Sequence, residues 1–144
     1  MCKDFFVDPY QVYLAKSFGA DAILIILAAI DEKTSEDIYG VAEKLNINTI
    51  IEVHTEEEAK KALQFKNSII GINNRNLKTL KTDIKITFDL YNDLAKHEGP
   101  IICESGIKSE KEVEEIVKKT KINNFLIGES LLKNLDKNSI FSVL

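Results

Sequence analysis

Short, nearly continuous apolar runs return at regular intervals along this chain: AILIIL at 22–27, TIIEV at 49–53, SIIGI at 68–72, IIC at 101–103 and NFLIG at 124–128. They do not alternate between polar and apolar residues. Unbroken apolarity over so few residues is what a parallel strand needs when both of its faces are covered. The segment CKDFF at 2–6 is counted as a further strand, the first of six. Between the runs lie segments with helical spacing and helix-start signals. Thr55 with Glu58, and Ser109 with Glu112, each read as a capping box. Pro9, following Asp8, suits the first turn of another helix. A repeating βα order implies parallel strands joined by right-handed crossovers, which leaves an open doubly wound sheet or a (β/α) barrel.

The polar residues choose between these. Glu52 follows TII, Asn73-Asn74-Arg75 follows IIGI, Glu104-Ser105-Gly106 follows IIC, and Gly128-Glu129-Ser130 follows FLI. Polar groups at the carboxyl ends of successive strands converge on one small volume only when the sheet curls, and that end is where barrel active sites lie. An α/β barrel is therefore expected, with residues 1–144 forming one partial (β/α) domain, since no linker or shift of composition interrupts them.

Composition narrows the partners. A net charge of −4 provides no overall field for nucleic acid or an anionic membrane, so an anionic ligand must be held by local groups. Cys2 and Cys103 each sit in apolar runs and read as buried reduced thiols. His54 and His97 have no partners at ligand spacing, so neither a metal nor a cofactor is expected. The run AILIILAAI is too short to span a bilayer, and no signal peptide is visible, so a cytoplasmic location is expected.

The segments CKDFFVDPYQVYLAKSFGADAILII, IEVHTEEE, GINNRNLKT, ESGI and FLIGESL, in this order and spacing, resemble the indole-3-glycerol phosphate synthases of tryptophan biosynthesis. The resemblance runs from the first residue to the last. GINNRNL combined with ESGI and IGESL is specific, whereas ESG or IGES alone would be weak. The family fold is a (β/α)8 barrel, and such barrels typically need about 250 residues. The resemblance thus implies a TIM-type barrel represented here by its third to eighth βα units, with MCKDFF as the third strand and the first two units absent. It also implies a carbon–carbon lyase, which closes an indole ring on 1-(2-carboxyphenylamino)-1-deoxyribulose 5-phosphate with loss of CO2 and water.

By this resemblance, Lys3 matches the general acid, and a lysine inside a strand suits a side chain aimed into a barrel mouth; a terminal lysine in solvent is the plainer reading. Glu52 matches the general base of the dehydration step, while a rim ion pair, even with Lys3, is the plainer alternative. Asn73 matches a substrate-binding asparagine, behind a glycine, Gly71, that permits close approach of a ligand or neighbouring strand. Arg75 could hold the substrate carboxylate or form a surface salt bridge, and the sequence leaves both open. Asn74 and Asn76 read as turn residues, and His54 as a helix-start residue outside catalysis. Glu104 and Ser105 match a substrate-contacting pair. Gly106, Gly128 and the amide of Glu129 match a phosphate site of backbone N–H groups.

The family's first-strand lysine and glutamate, with a nearby serine, have no counterpart in these residues. The resemblance therefore implies, besides the phosphorylated substrate, a partner in the missing barrel segment or in another tryptophan-pathway enzyme. The alternatives are an inactive, phosphate-binding barrel remnant and an open α/β binding module.

Overall fold

Five parallel strands, hydrogen-bonded in the order in which they occur along the chain, form the frame: β1 (Ala22–Ile26), β2 (Asn48–Val53), β3 (Ile69–Asn73), β4 (Ile101–Glu104) and β5 (Asn124–Leu126). The computed structural model describes residues 1–133; residues 134–144 of the expected domain lie outside the described residues. Helices α1 (Tyr10–Ser17), α2 (Glu32–Lys44), α3 (Glu56–Ala62), α4 (Lys85–Leu94), α5 (Glu110–Thr120) and α6 (Glu129–Lys133) alternate with the strands, and a 3-10 turn at Leu27–Ala29 follows β1. Every apolar run of the sequence holds a strand, to within a residue or two at its ends. Among the described residues no helix is long and apolar enough to cross a membrane.

The absence of alternation in those runs has a direct cause. Ile23, Ile25, Ile51, Val53, Ile70, Ile72 and Cys103 point to the helical layer, where they join Val12, Ile38, Phe65, Leu94 and Ile116 in the main core. The intervening residues Leu24, Ile26 and Ile50 form a second cluster with Ile69 and Ile102 on the opposite, inner face. Both faces are thus apolar along most of each strand. The inner face turns polar only at the strand ends, through Glu52, Asn73 and Glu104, all buried.

The helix starts follow their sequence signals with one variation. Ser109 forms a full capping box with Glu112. Thr55 accepts from the Glu58 amide, but the Glu58 carboxylate reaches one residue further back, to the amide of His54 at 2.8 Å. Asp31, with no such expectation attached, caps α2 by accepting from the Thr34 amide. Pro9 stands at the N-cap of α1.

CKDFF departs from expectation. It makes a single parallel bridge, Cys2 to Ile23, with the Cys2 amide donating to Ala22 O at 2.8 Å. Beyond that point side chains satisfy its backbone: Asp4 accepts from the Phe5 amide, and Gln11 accepts from the Val7 and Asp8 amides while donating to Phe5 O. A strand forms as a ladder, and here local side chains take the groups a ladder would use.

The segment is nevertheless placed where a barrel strand would lie. Lys3 Nζ stands 3.4 Å from the Glu104 carboxylate. In a flat sheet the Cys2 segment and β4 would be four strand spacings, roughly 19 Å, apart. No lysine side chain spans that distance, so the sheet curls, and the architecture is that of a (β/α)8 barrel present in part. Gly71 in β3 permits the arrangement, because a Cβ there would collide with Oε1 of Glu104. Gly71→Ala is expected to cost about 1–3 kcal/mol in urea unfolding, the usual range for overpacking. In Glu104→Ala, which removes the obstructing carboxylate, the same change should cost much less; equal losses in the two backgrounds would refute the contact.

Candidate functional site

The carboxyl ends of β2, β3 and β4 bring Glu52, Asn73 and Glu104 to one place on the inner face. Register explains the convergence: Glu52 pairs with Gly71 two residues before Asn73, and Asn73 pairs with Glu104. Both carboxylates are about 1% exposed. Lys3 reaches them from the N-terminal segment, 3.5 Å from Glu52 Oε2 and 3.4 Å from Glu104 Oε2. Its own side chain remains 48% exposed, so one ammonium joins the buried pair to solvent.

The two carboxylates have opposite tendencies. Burial works against the charge of Glu52, but His54, the Asn73 amide (2.8 Å to Oε1) and Lys3 outweigh it and hold its pKa below the ordinary value. Glu104 is pushed up to about 7, first by burial and then by the neighbouring Glu52 charge, with Lys3 opposing. Its Oε1 is buried without a hydrogen-bond partner among the described residues. An ionised carboxylate beside a carboxyl group poised near neutrality, bridged by a lysine, is an arrangement suited to proton transfer.

The remaining expected residues line an adjoining open cavity of about 900 Å³, together with Lys3. Arg75, Ser105, Gly106, Gly128 and Glu129 all lie on its wall. Lys81 and Lys108 bring the cationic side chains there to four with Lys3 and Arg75, against the single carboxylate of Glu129. That balance suits an anionic ligand despite the net negative chain. Arg75 Nη2 donates to Glu129 Oε2 at 2.7 Å, which is the salt bridge among its two readings. Ser105 and Gly106 are consecutive left-handed residues, φ +63 and φ +77. The conformation is ordinary for glycine and uncommon for serine, so the turn after β4 must be held by its surroundings.

Asn74 supplies that hold, and its place is in the core rather than in the turn expected of it. It is fully buried. Its Nδ2 lies 3.2 Å from the carbonyls of Glu104 and Ser105 and from Cys103 Sγ, while Oδ1 accepts from the amide and hydroxyl of Thr87 in α4. Nothing in NNRN distinguishes this asparagine from its neighbours, because the distinction lies in distant partners. Cys103 is buried as expected, and burial pushes its thiol pKa up.

His54 is the second residue whose surroundings were not foreseen. Its Nε2 lies 3.2 Å from Glu52 Oε1 and its Nδ1 lies 3.3 Å from Glu58 Oε2. The Nε2 contact has the distance of an ion pair without the alignment of a hydrogen bond. Burial alone would lower the ring's pKa; the two carboxylates overcome it and raise the pKa to about 9. The available signal was spacing, with His54 two residues after Glu52, just past the end of β2, and Glu58 one helical turn further on.

Comparison with known proteins agrees with this geometry. The family model described as indole-3-glycerol phosphate synthase matches residues 1–143. The chain is 39% identical over 142 residues to an indole-3-glycerol phosphate synthase of Polynucleobacter asymbioticus, covering 99% of this chain and 52% of that relative. It is 46% identical over 132 residues to the tryptophan biosynthesis protein TrpCF of Buchnera aphidicola, covering 92% of this chain and 28% of that relative. It therefore spans about half, or less, of the curated relatives it matches. A chain of a tryptophan synthase complex from Pyrococcus furiosus superposes with a TM-score of 0.66 at 16% identity, over 91% of this chain and 53% of that one, a likeness that speaks to the fold alone. With its strand-end residues and a family model matched over residues 1–143, the chain belongs to the indole-3-glycerol phosphate synthase family.

Proposed function

We propose that this chain carries the acid–base centre and phosphate anchor of an indole-3-glycerol phosphate synthase. The observation that carries this reading is Lys3, held between Glu52 and Glu104 at the edge of a cationic cavity. The substrate would be 1-(2-carboxyphenylamino)-1-deoxyribulose 5-phosphate. Lys3 protonates the ribulose carbonyl oxygen as the substituted ring carbon attacks the carbonyl carbon. Loss of CO2 from that ring carbon restores aromaticity. Lys3, reprotonated from solvent through its exposed side, gives a second proton to the new hydroxyl, which leaves as water, and Glu52 removes a proton from the carbon beside nitrogen to complete the indole ring. Asn73 orients Glu52, and Glu104 with Ser105 contacts the substrate. The backbone at Gly106, Gly128 and Glu129 anchors phosphate, and Arg75 exchanges Glu129 for the substrate carboxylate.

The proposal includes a partner. The first eighteen residues expose Phe5, Val7, Tyr10, Tyr13, Leu14 and Phe18. An apolar surface of that kind, on a chain half the length of its relatives, fits the remaining βα units of a barrel, on the same polypeptide or supplied separately. A further tryptophan-biosynthesis domain, as in the relatives named TrpCF, is compatible with the same arrangement.

Two measurements test this. Once the remaining units are supplied, Lys3→Ala should reduce indole-3-glycerol phosphate formation by at least about 10²-fold, the scale of a lost general acid. Binding of a phosphate-bearing substrate analogue should change little, because the anchor is backbone on other loops. Equal loss of binding and turnover would make Lys3 a binding or structural residue. Supplying the units of the Polynucleobacter relative that this chain does not span should raise the rate of the chain alone by about 10²-fold or more. Full activity from residues 1–144 alone would overturn this account of the machinery.

A further inference from the structure

Five charged groups stand in an unbroken series across the site: Glu58, His54, Glu52, Lys3 and Glu104, with every adjacent pair within 3.5 Å. The acid–base reading uses the last three. The two oxygens of Glu52 are not equivalent. Oε1 accepts from Asn73 Nδ2 at 2.8 Å and stands at ion-pair distance, 3.2 Å, from His54 Nε2, so it is held by one hydrogen bond and by the charge of the ring. Oε2 instead accepts from Lys3 Nζ, at a longer 3.5 Å, and Glu52 and Lys3 both line a second, smaller hollow beside the open cavity.

The ring that makes the difference is held from behind. Glu58 Oε2 accepts from the His54 backbone amide at 2.8 Å and stands 3.3 Å from Nδ1 of the same residue. Glu58 is itself fixed at the start of α3, where its amide donates to Thr55. One carboxylate therefore restrains both the backbone and the ring of His54. This also explains why the capping box expected of Thr55 and Glu58 is displaced by one residue.

We propose that His54, anchored by Glu58, is a positioning residue that engages Oε1 of Glu52 and so makes Oε2 the proton-accepting atom. The inference rests on the reading of Glu52 as the base. Glu52 from β2 and Glu58 from α3 are the charged groups that face the ring; Lys3 and Glu104 lie beyond Glu52. An imidazolium there also balances charge, since Lys3 alone cannot neutralise two buried carboxylates when both are ionised. The sign of the pH effect follows. A histidine raised in the folded state stabilises fully below its unfolded value of 6.5, and the contribution disappears as pH rises through about 9.

The test has two independent readouts. Histidine ring and glutamate carboxylate NMR titrations of the chain should show His54 titrating near 9, moved toward 6.5 by Glu58→Gln. In His54→Gln, which keeps a neutral hydrogen-bonding side chain, the Glu52 carboxylate should titrate higher than in the wild type. With the remaining barrel units supplied, His54→Gln should lower kcat roughly 10-fold with KM little changed, and shift the acid limb of the kcat profile upward. If no form turns over, the reading of function fails, while the titrations still decide the coupling. A His54 that titrates near 6.5, or a Glu52 indifferent to His54→Gln, overturns the proposal, as does an unaltered kcat profile in an active enzyme. Should His54→Gln unfold, Glu58→Gln alone decides, through the His54 titration.

Discussion

A single ammonium held between carboxylates from two non-adjacent strands is the constraint on which the rest depends. Lys3 can meet Glu52 and Glu104 together only if β2 and β4 turn inward, so the contact and the curvature require each other. The curvature in turn needs small volume behind it, and Gly71 supplies it where Glu104 folds back over β3. Such a pair would be costly to bury alone, because each carboxylate loses water and repels the other. Placing a positive group on each side of Glu52, imidazolium on one and ammonium on the other, keeps that carboxylate ionised and leaves Glu104 near its titration point.

The outer layer and the inner site were legible to different degrees. The strands were readable because burial on both faces leaves a local mark: an unbroken apolar run such as TII before Glu52 requires no knowledge of partners. The caps at Thr55 and Ser109 were readable for the same reason, since donor and acceptor lie within one turn. CKDFF failed that test because strand formation depends on a neighbouring ladder, and its own Asp4 took the Phe5 amide while the nearby Gln11 took the Phe5 carbonyl.

Within the site, position was legible and pairing was not. Glu52, Asn73 and Glu104 could be placed at strand ends because their type breaks the apolar pattern. That resemblance to a known family supplied their roles reflects the same limit, for chemistry depends on which groups meet. Asn74 and His54 show this most plainly. The partners of Asn74 lie on β4, the turn after it and α4, about thirteen to thirty-one residues away, and no spacing rule connects them. His54 had a local clue in Glu58, but the same pair of residues serves equally well as an ordinary helix start.

Behind the turn at Ser105, the thiol of Cys103 touches the Asn74 amide and the Thr87 hydroxyl, all three closed off beneath α4. A thiol so enclosed, with ionisation suppressed by burial, is inert while the helix is seated. Its rate of alkylation would therefore act as a clock for local opening, counting the moments when α4 lifts and the asparagine releases the turn. Slower labelling on addition of inorganic phosphate would mean that ligand at the cavity and helix on the outer layer share one cooperative unit, readable without any turnover at all.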